Sequence, residues 1–361
     1  MMRKLLPVLA AIALLAIVFG SFGCAAPAPA TATKAPTAAT TAPAAATTAP
    51  APATPVKLPD RFIFGASGTG KAYDLSAFLS EMSTKYTPMK GAIEKVTSSQ
   101  EAIKGVADGT YQSAVYSGAT AQSAPADIRK NLRVLFCGAG PETSTIIAIQ
   151  TIPASNIKTV ADLKGKRVYT ENPALVYFGP IFDTILKTNG MTRADIKGQI
   201  FNNATDAYRD LKEGRVDAMF YVTGASSTEL GGPTGPGLYV VPLSPETQKA
   251  VEAMGTGFLA ADWPAGMFGN KVTTPTLGSP NLIWSNSQLS EAAGYTFVQA
   301  VFEHLPELQA SQKAAEGFTK ENAMAQWAVP YHPGAIKYFK EIGVWKVDWD
   351  AKQSAALASW K

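Results

Sequence analysis

The sequence predicts an α/β protein of two lobes joined by two crossover strands, and three observations point to it. Short apolar runs alternate with amphipathic stretches from residue 59 onward, as strands and helices do when they take turns along a chain. The pattern occurs as two successive sets, separated by an apolar extended segment at residues 145–150. A second extended segment, residues 277–286, follows the second set and returns the chain. No internal repeat of fixed short period is present.

In the first set, residues 61–64 (RFIF) read as a strand and 65–71 as a loop. Residues 73–85 then form a helix, with Leu75, Phe78, Leu79 and Met82 on one face. Residues 110–116 and 132–137 read as further strands, and 145–150 as another. The second set opens at 160–165 and continues with a strand at 167–170, a loop, and a helix at 177–189. Residues 204–214 are amphipathic and stop at Gly214, after which 216–222 is again a strand. A Gly/Pro-rich loop fills 224–237, and beyond the extended segment 277–286 the stretches 287–305 and 306–313 read as helical. This order assigns residues 58–148 and 276–361 to lobe 1 and residues 149–275 to lobe 2.

The N-terminal segment sets the compartment. Arg3 and Lys4 precede an apolar run at residues 5–19, too short for a comfortable membrane span and suited to a signal peptide over residues 1–23. Ser21-Phe22-Gly23 before Cys24 is similar to a lipoprotein cleavage box, although Ser21 and Phe22 depart from its usual Leu and small residue. The expectation is lipidation at Cys24 and an extracytoplasmic protein anchored to the cell membrane, in the periplasm or on the outer face. Residues 24–57 are almost entirely Ala, Thr and Pro, a composition that forms an extended linker and buries no core.

Composition narrows the partners. The formal charge is +4, and Arg3 and Lys4 supply two of those charges, so no nucleic-acid partner is expected. The two cysteines are Cys24 and Cys137; the latter sits in an apolar run and reads as a small buried hydrophobe.

Residues 65–72 (GASGTGKA) follow a strand and precede a helix, which nearly makes a phosphate-binding loop. The eighth position is Ala72, which has no hydroxyl to hold magnesium, so nucleotide chemistry is not expected. What the loop retains is backbone that a ligand can approach and free N–H groups at a helix start. His304 and His332 are the only histidines and stand in no metal-ligand spacing, so neither a metal nor a cofactor is expected. Nor do the residues present form a nucleophilic constellation, and the chain does not read as an enzyme.

Three segments carry a family resemblance: residues 160–168 (VADLKGKRV), 204–225 (ATDAYRDLKEGRVDAMFYVTGA) and 330–341 (PYHPGAIKYFKE). In order and spacing they resemble the TAXI family, the extracytoplasmic solute-binding subunits of TRAP transporters. The resemblance implies a two-lobed, periplasmic-binding-protein-like fold of type II with lobes joined by crossover hinge strands. It also implies capture of a small organic solute in an interlobe cleft, hinge closure, and delivery to TRAP permease membrane subunits. A ligand-binding module for a membrane sensory receptor is the alternative use of such a fold. His332, before a Pro-Gly pair, reads as a packed corner.

The sequence departs from the family pattern at three loops, the first of which (residues 65–72) has lost a glycine and gained Lys71. Residues 97–102 (TSSQEA) lack the family's glycines and asparagine, and the loop after the 167–170 strand is TENPA in place of a Gly/Ser-rich one. Glu171 there would meet a carboxylate ligand as a like charge, and Tyr73, Tyr116, Tyr177, Phe178 and Tyr221 make the cleft aromatic. The expected solute is therefore a monocarboxylate or a neutral compound with an apolar body, ahead of glutamate or a dicarboxylate. Strand-end loops nominate Ser67, Thr69, Tyr73, Tyr116, Ser117, Asn172, Tyr177 and Thr223 as ligand-binding residues.

Overall fold

The computed structural model describes residues 57–360 apart from 68, 69, 174, 223, 225, 226 and 328. The signal peptide, Cys24, nearly all of the linker, Thr69 and Thr223 lie outside the described residues.

The first half runs β1 (Arg61–Ser67), α1 (Lys71–Tyr86), β2 (Lys90–Val96), α2 (Ser99–Ala107), β3 (Ala114–Ser117), α3 (Gly118–Gln122), α4 (Ala126–Arg129) and β4 (Leu132–Gly138). The chain then crosses into β5 (Thr145–Thr151), β6 (Arg167–Glu171), α5 (Phe178–Thr188), β7 (Lys197–Ile200), α6 (Ala204–Lys212) and β8 (Ala218–Val222). Next come α7 (Thr228–Gly231), β9 (Tyr239–Val241), α8 (Pro245–Glu252), β10 (Leu259–Trp263) and β11 (Thr274–Ser279). It returns through β12 (Asn281–Asn286) and ends with α9 (Glu291–Glu303), α10 (Leu305–Ser311), α11 (Pro333–Glu341) and α12 (Trp349–Ser359).

Two sheets result, built on one plan. In the first, β1 pairs with β2 in parallel, a parallel bridge between Phe64 and Ser113 joins β1 to the approach of β3, and β12 lies antiparallel between β3 and β4. The order is β2-β1-β3-β12-β4. In the second, β6 pairs in parallel with β7 and β8, and β5 lies antiparallel between β8 on one side and β9 and β11 on the other. Each sheet therefore takes, beside its third strand, an antiparallel strand delivered by a crossover from the other sheet.

Burial follows from this layering. Ile147 and Ile149 face one core of the second sheet while Ile146 and Ala148 face another. A strand buried on both faces needs no polar alternation, which is why residues 145–150 read as a continuous apolar run. The first sheet packs on α9 through Phe297, whose ring stacks on Phe62 at 4.4 Å.

Several elements differ from the sequence reading, each for a physical reason. Strand β1 continues through Gly65 to Ser67, so Gly65 belongs to a strand; a side chain there would lie 2.4 Å from the ring of Tyr111. Tyr111 itself precedes β3, which starts only at Ala114. Residues 277–286 are two strands, because Pro280 has no N–H to continue a ladder. Residues 97–102 start α2, with the Ser98 side chain accepting from the Glu101 amide as an N-cap. His332 caps α11: its Nδ1 accepts from the Gly334 amide at 3.1 Å, so Nε2 carries the proton and donates to the Leu289 carbonyl at 2.9 Å. Cys137 is fully buried, its thiol lies 3.1 Å from the Asn322 carbonyl, and burial raises its pKa to about 11.

Candidate functional site

Strands β1 and β3 end side by side, and the residues at their exits are tied together. The Ser67 amide donates to the Tyr116 hydroxyl at 3.0 Å, and the Tyr116 carbonyl accepts from the buried Trp284 indole at 3.1 Å. Ser117, the next residue, is buried and lies 3.2 Å from the Thr120 hydroxyl. Gly70, with φ 88° and ψ −179°, turns the chain into α1 in a conformation only glycine adopts comfortably. Lys71 opens that helix; its ammonium donates to the Ser144 carbonyl at 3.4 Å, at the entry to β5. Crowding by protein lowers the Lys71 pKa, with the Glu142 carboxylate opposing the shift, and no carboxylate lies within ion-pair distance of it among the described residues. Tyr73 is half-buried in the first turn of α1, its hydroxyl without a hydrogen-bond partner among the described residues.

The second sheet supplies an aromatic wall. Tyr177 caps α5, with its ring 5.2 Å from Phe178 and 5.5 Å from Phe258. Phe178 in turn meets Tyr221 edge-on at 5.6 Å. Burial and the neighbouring Tyr221 hydroxyl push the Tyr177 phenol well up, so it is a neutral donor at any physiological pH.

The two groups meet at a backbone contact. Gly257 has φ 81°, and a side chain there would lie 3.1 Å from the Ala119 amide nitrogen and from the Gly118 carbonyl carbon. Ala119, in the first turn of α3, is buried in the second sheet's core along with Phe258. Gln326, buried, donates to the Gly257 carbonyl at 3.4 Å. Ser67, Tyr116 and Ser117 are thus linked through Ala119, Gly257 and Phe258 to Tyr177.

Asn172 lies at the exit of β6. It is buried, its carbonyl accepts from the Leu175 amide at 2.8 Å, and it lines a cavity of about 270 Å³ with Pro173, Val176 and Ile200. Glu171 also differs from expectation. Its carboxylate pairs with Arg193 at 3.0 Å, and Arg193 further donates to the Thr170 hydroxyl at 2.6 Å and the Gly179 carbonyl at 3.1 Å. Arg193 also pairs with Asp183, so one guanidinium is shared by two carboxylates; the like-charge argument against carboxylates is weakened by this cation and not removed. Sequence reasoning missed Gly257, Phe258 and Gln326, since no local motif marks a contact made across two sheets. Among the described residues, no cluster of His, Cys, Asp and Glu could hold a metal ion.

The two-sheet plan with paired crossovers is that of the two-lobed periplasmic binding proteins of type II. The periplasmic aliphatic sulphonate binding protein SsuA of Escherichia coli superposes with a TM-score of 0.50 at 14% identity, over 83% of this chain and 86% of that one. SsuA of Xanthomonas axonopodis pv. citri bound to MOPS gives 0.41 at 15% identity, over 84% and 85%. Substrate binding domain 2 of Lactococcus lactis GlnP gives 0.43 at 13% identity, over 74% and 99%. A family model spanning residues 63–343 matches, and the chain belongs to the NMT1-like family.

Proposed function

We propose that this chain is an extracytoplasmic solute-binding receptor that captures a small organic solute between its lobes and hands it to a membrane transporter. The fold and the export-like N-terminus support that reading, and one observation carries it: residues at the exits of β1 and β3 join an aromatic wall from the second sheet through the Gly257–Ala119 contact. A ligand held by both groups stabilises the closed arrangement and no other, which is how such a receptor signals occupancy. The chain performs no chemistry on the solute in this reading.

The solute we infer is a monocarboxylate or a neutral compound with an apolar body. Tyr177, backed by the buried Phe258, offers ring surface, Lys71 offers an ammonium without a carboxylate partner among the described residues, and Ser67, Ser117 and Tyr73 offer hydroxyls. The contact residues proposed remain Ser67, Thr69, Tyr73, Tyr116, Ser117, Tyr177 and Thr223, with Asn172 at the margin. The transporter we propose is of the TRAP type, on the resemblance of residues 160–168, 204–225 and 330–341 to TAXI receptors, and the anchor is lipid on Cys24. A lipid tether on a flexible linker keeps the receptor at high effective concentration near its permease.

Uptake by whole cells separates the transporter classes. Uptake that survives ATP depletion and stops when ion gradients collapse is expected; uptake that follows ATP would replace the TRAP reading with an ATP-driven one. A clickable fatty acid should label the wild type and not Cys24→Ser, and equal labelling would remove the anchor.

A further inference from the structure

The two segments that carry the chain between the sheets also line, together with β10, a partly open cavity of about 390 Å³. Ala139, Pro141 and Ser144 line it from the β4–β5 crossover, Pro280 from the β11–β12 crossover, and Leu259 and Ala261 from β10. The crossovers are tied to each other, since Asn281 Nδ2 donates to the Thr143 carbonyl and Ser279 pairs with Thr145. One side of the cavity is therefore set by the crossovers and the other by β10 and the residues after it. Ser144 connects it to the candidate cleft, because its carbonyl holds the Lys71 ammonium.

The lining decides what fits. The walls are mostly hydrocarbon, and Asp262, the only ionisable side chain among the lining residues, is exposed. A charged guest would lose its hydration without a buried partner, which is costly, whereas a compact apolar one gains burial. The volume is of the size that holds small organic ligands, ~300–1,000 Å³. We propose that this cavity binds a small uncharged organic molecule of single-ring size, and that its occupancy biases the opening of the lobes. Rotation about the crossovers moves opposite walls of the cavity relative to one another, so a guest binds one hinge state better than the other and shifts the population toward it.

The test uses benzyl alcohol as the probe, with no transported solute present, so that its failure leaves the receptor reading standing. Methyl NMR of the full chain, following Ile146 and Leu259, reads binding. Spin labels at Glu81→Cys on α1 and Lys187→Cys on α5 read the distance between lobes. Benzyl alcohol should shift both methyl signals and change the distance distribution, while benzoate should bind at least tenfold more weakly. Ala139→Phe and Ala261→Phe fill the cavity from opposite walls, so either one that folds should weaken binding at least tenfold. Methyl signals unmoved at millimolar probe, or binding indifferent to both filling variants, overturns the site. Binding that leaves the distance distribution unchanged overturns the coupling to the hinge.

Discussion

The Ser67 amide donates to the Tyr116 hydroxyl at 3.0 Å, which fixes the exit of β1 against the exit of β3. A backbone donor at a strand end has no ladder partner of its own, and here a side chain from two strands away in sequence order supplies one. Tyr116→Phe removes that acceptor while keeping the ring. Urea unfolding should show a loss of about 1 kcal/mol, the net worth of one such bond. Unchanged stability would mean that the Ser67 amide finds another partner.

Tyr73, in the first turn of α1, and Tyr177, at the start of α5, are the two proposed contact residues whose loss is most informative. Their replacement by Ala, singly, should weaken solute binding at least tenfold by calorimetry while the far-ultraviolet circular dichroism stays that of the wild type. Wild-type affinity in both variants would displace the proposed cleft.

Gly257 sits at φ 81° with the Ala119 amide where a side chain would be. Gly257→Ala adds backbone strain of roughly 1–2 kcal/mol at positive φ and a clash at the interlobe contact. The expected outcome is a more open molecule by small-angle scattering and weaker solute binding. A scattering profile identical to the wild type would place the lobe contact elsewhere.

Arg193 joins Glu171 to Asp183, Thr170 and Gly179. Arg193→Ala leaves both Glu171 and Asp183 without this partner. All three groups are partly exposed, so the stability loss should be modest, about 1 kcal/mol. The sharper readout is selectivity: affinity for monocarboxylates should fall relative to their primary amides. Equal change for acid and amide would show that the Glu171 charge is not felt at the ligand.

Burial lowers the His332 pKa; Arg133 assists, while the Leu289 carbonyl and Glu291 oppose. The folded state thus binds this proton less tightly than the unfolded chain, whose imidazole titrates near the ordinary 6.5. The associated stability is complete above that value and is lost as pH falls below it toward the lowered folded pKa. Asp217, held below its ordinary 3.8 by Arg167, titrates lower still and leaves this window clear. Urea midpoints should fall between pH 7.5 and 5.5. His332→Asn, which can still accept from the Gly334 amide, should flatten that slope, and an unaltered slope would assign it to another group.

Much of the fold was legible because burial and pattern coincide. The helix around Leu75, Leu79 and Met82 and the doubly buried run at β5 are examples, their periodicity arising from the layers they contact. Strand β2 was not legible: Lys90, Glu94 and Lys95 are exposed and little apolar alternation survives. Helix α11 was hidden behind His-Pro-Gly, a turn signal in sequence. In the structure Pro333 opens a helix, and Gly334 makes room for α9, since a side chain there would lie 2.3 Å from the Glu291 carbonyl. At the site, strand-end logic brought Ser67, Tyr116, Ser117 and Tyr177 into one chain of contacts. It could not foresee Gly257 or the Arg193 partner of Glu171, because both depend on how distant segments pack.

The central claim, a receptor that holds a small solute between two lobes, is tested most directly by native mass spectrometry of the gently purified, full-length protein. A bound organic molecule is expected, released on denaturation and absent from Tyr73→Ala and Tyr177→Ala. Protein that carries no small molecule, even after incubation with spent growth medium, would contradict it.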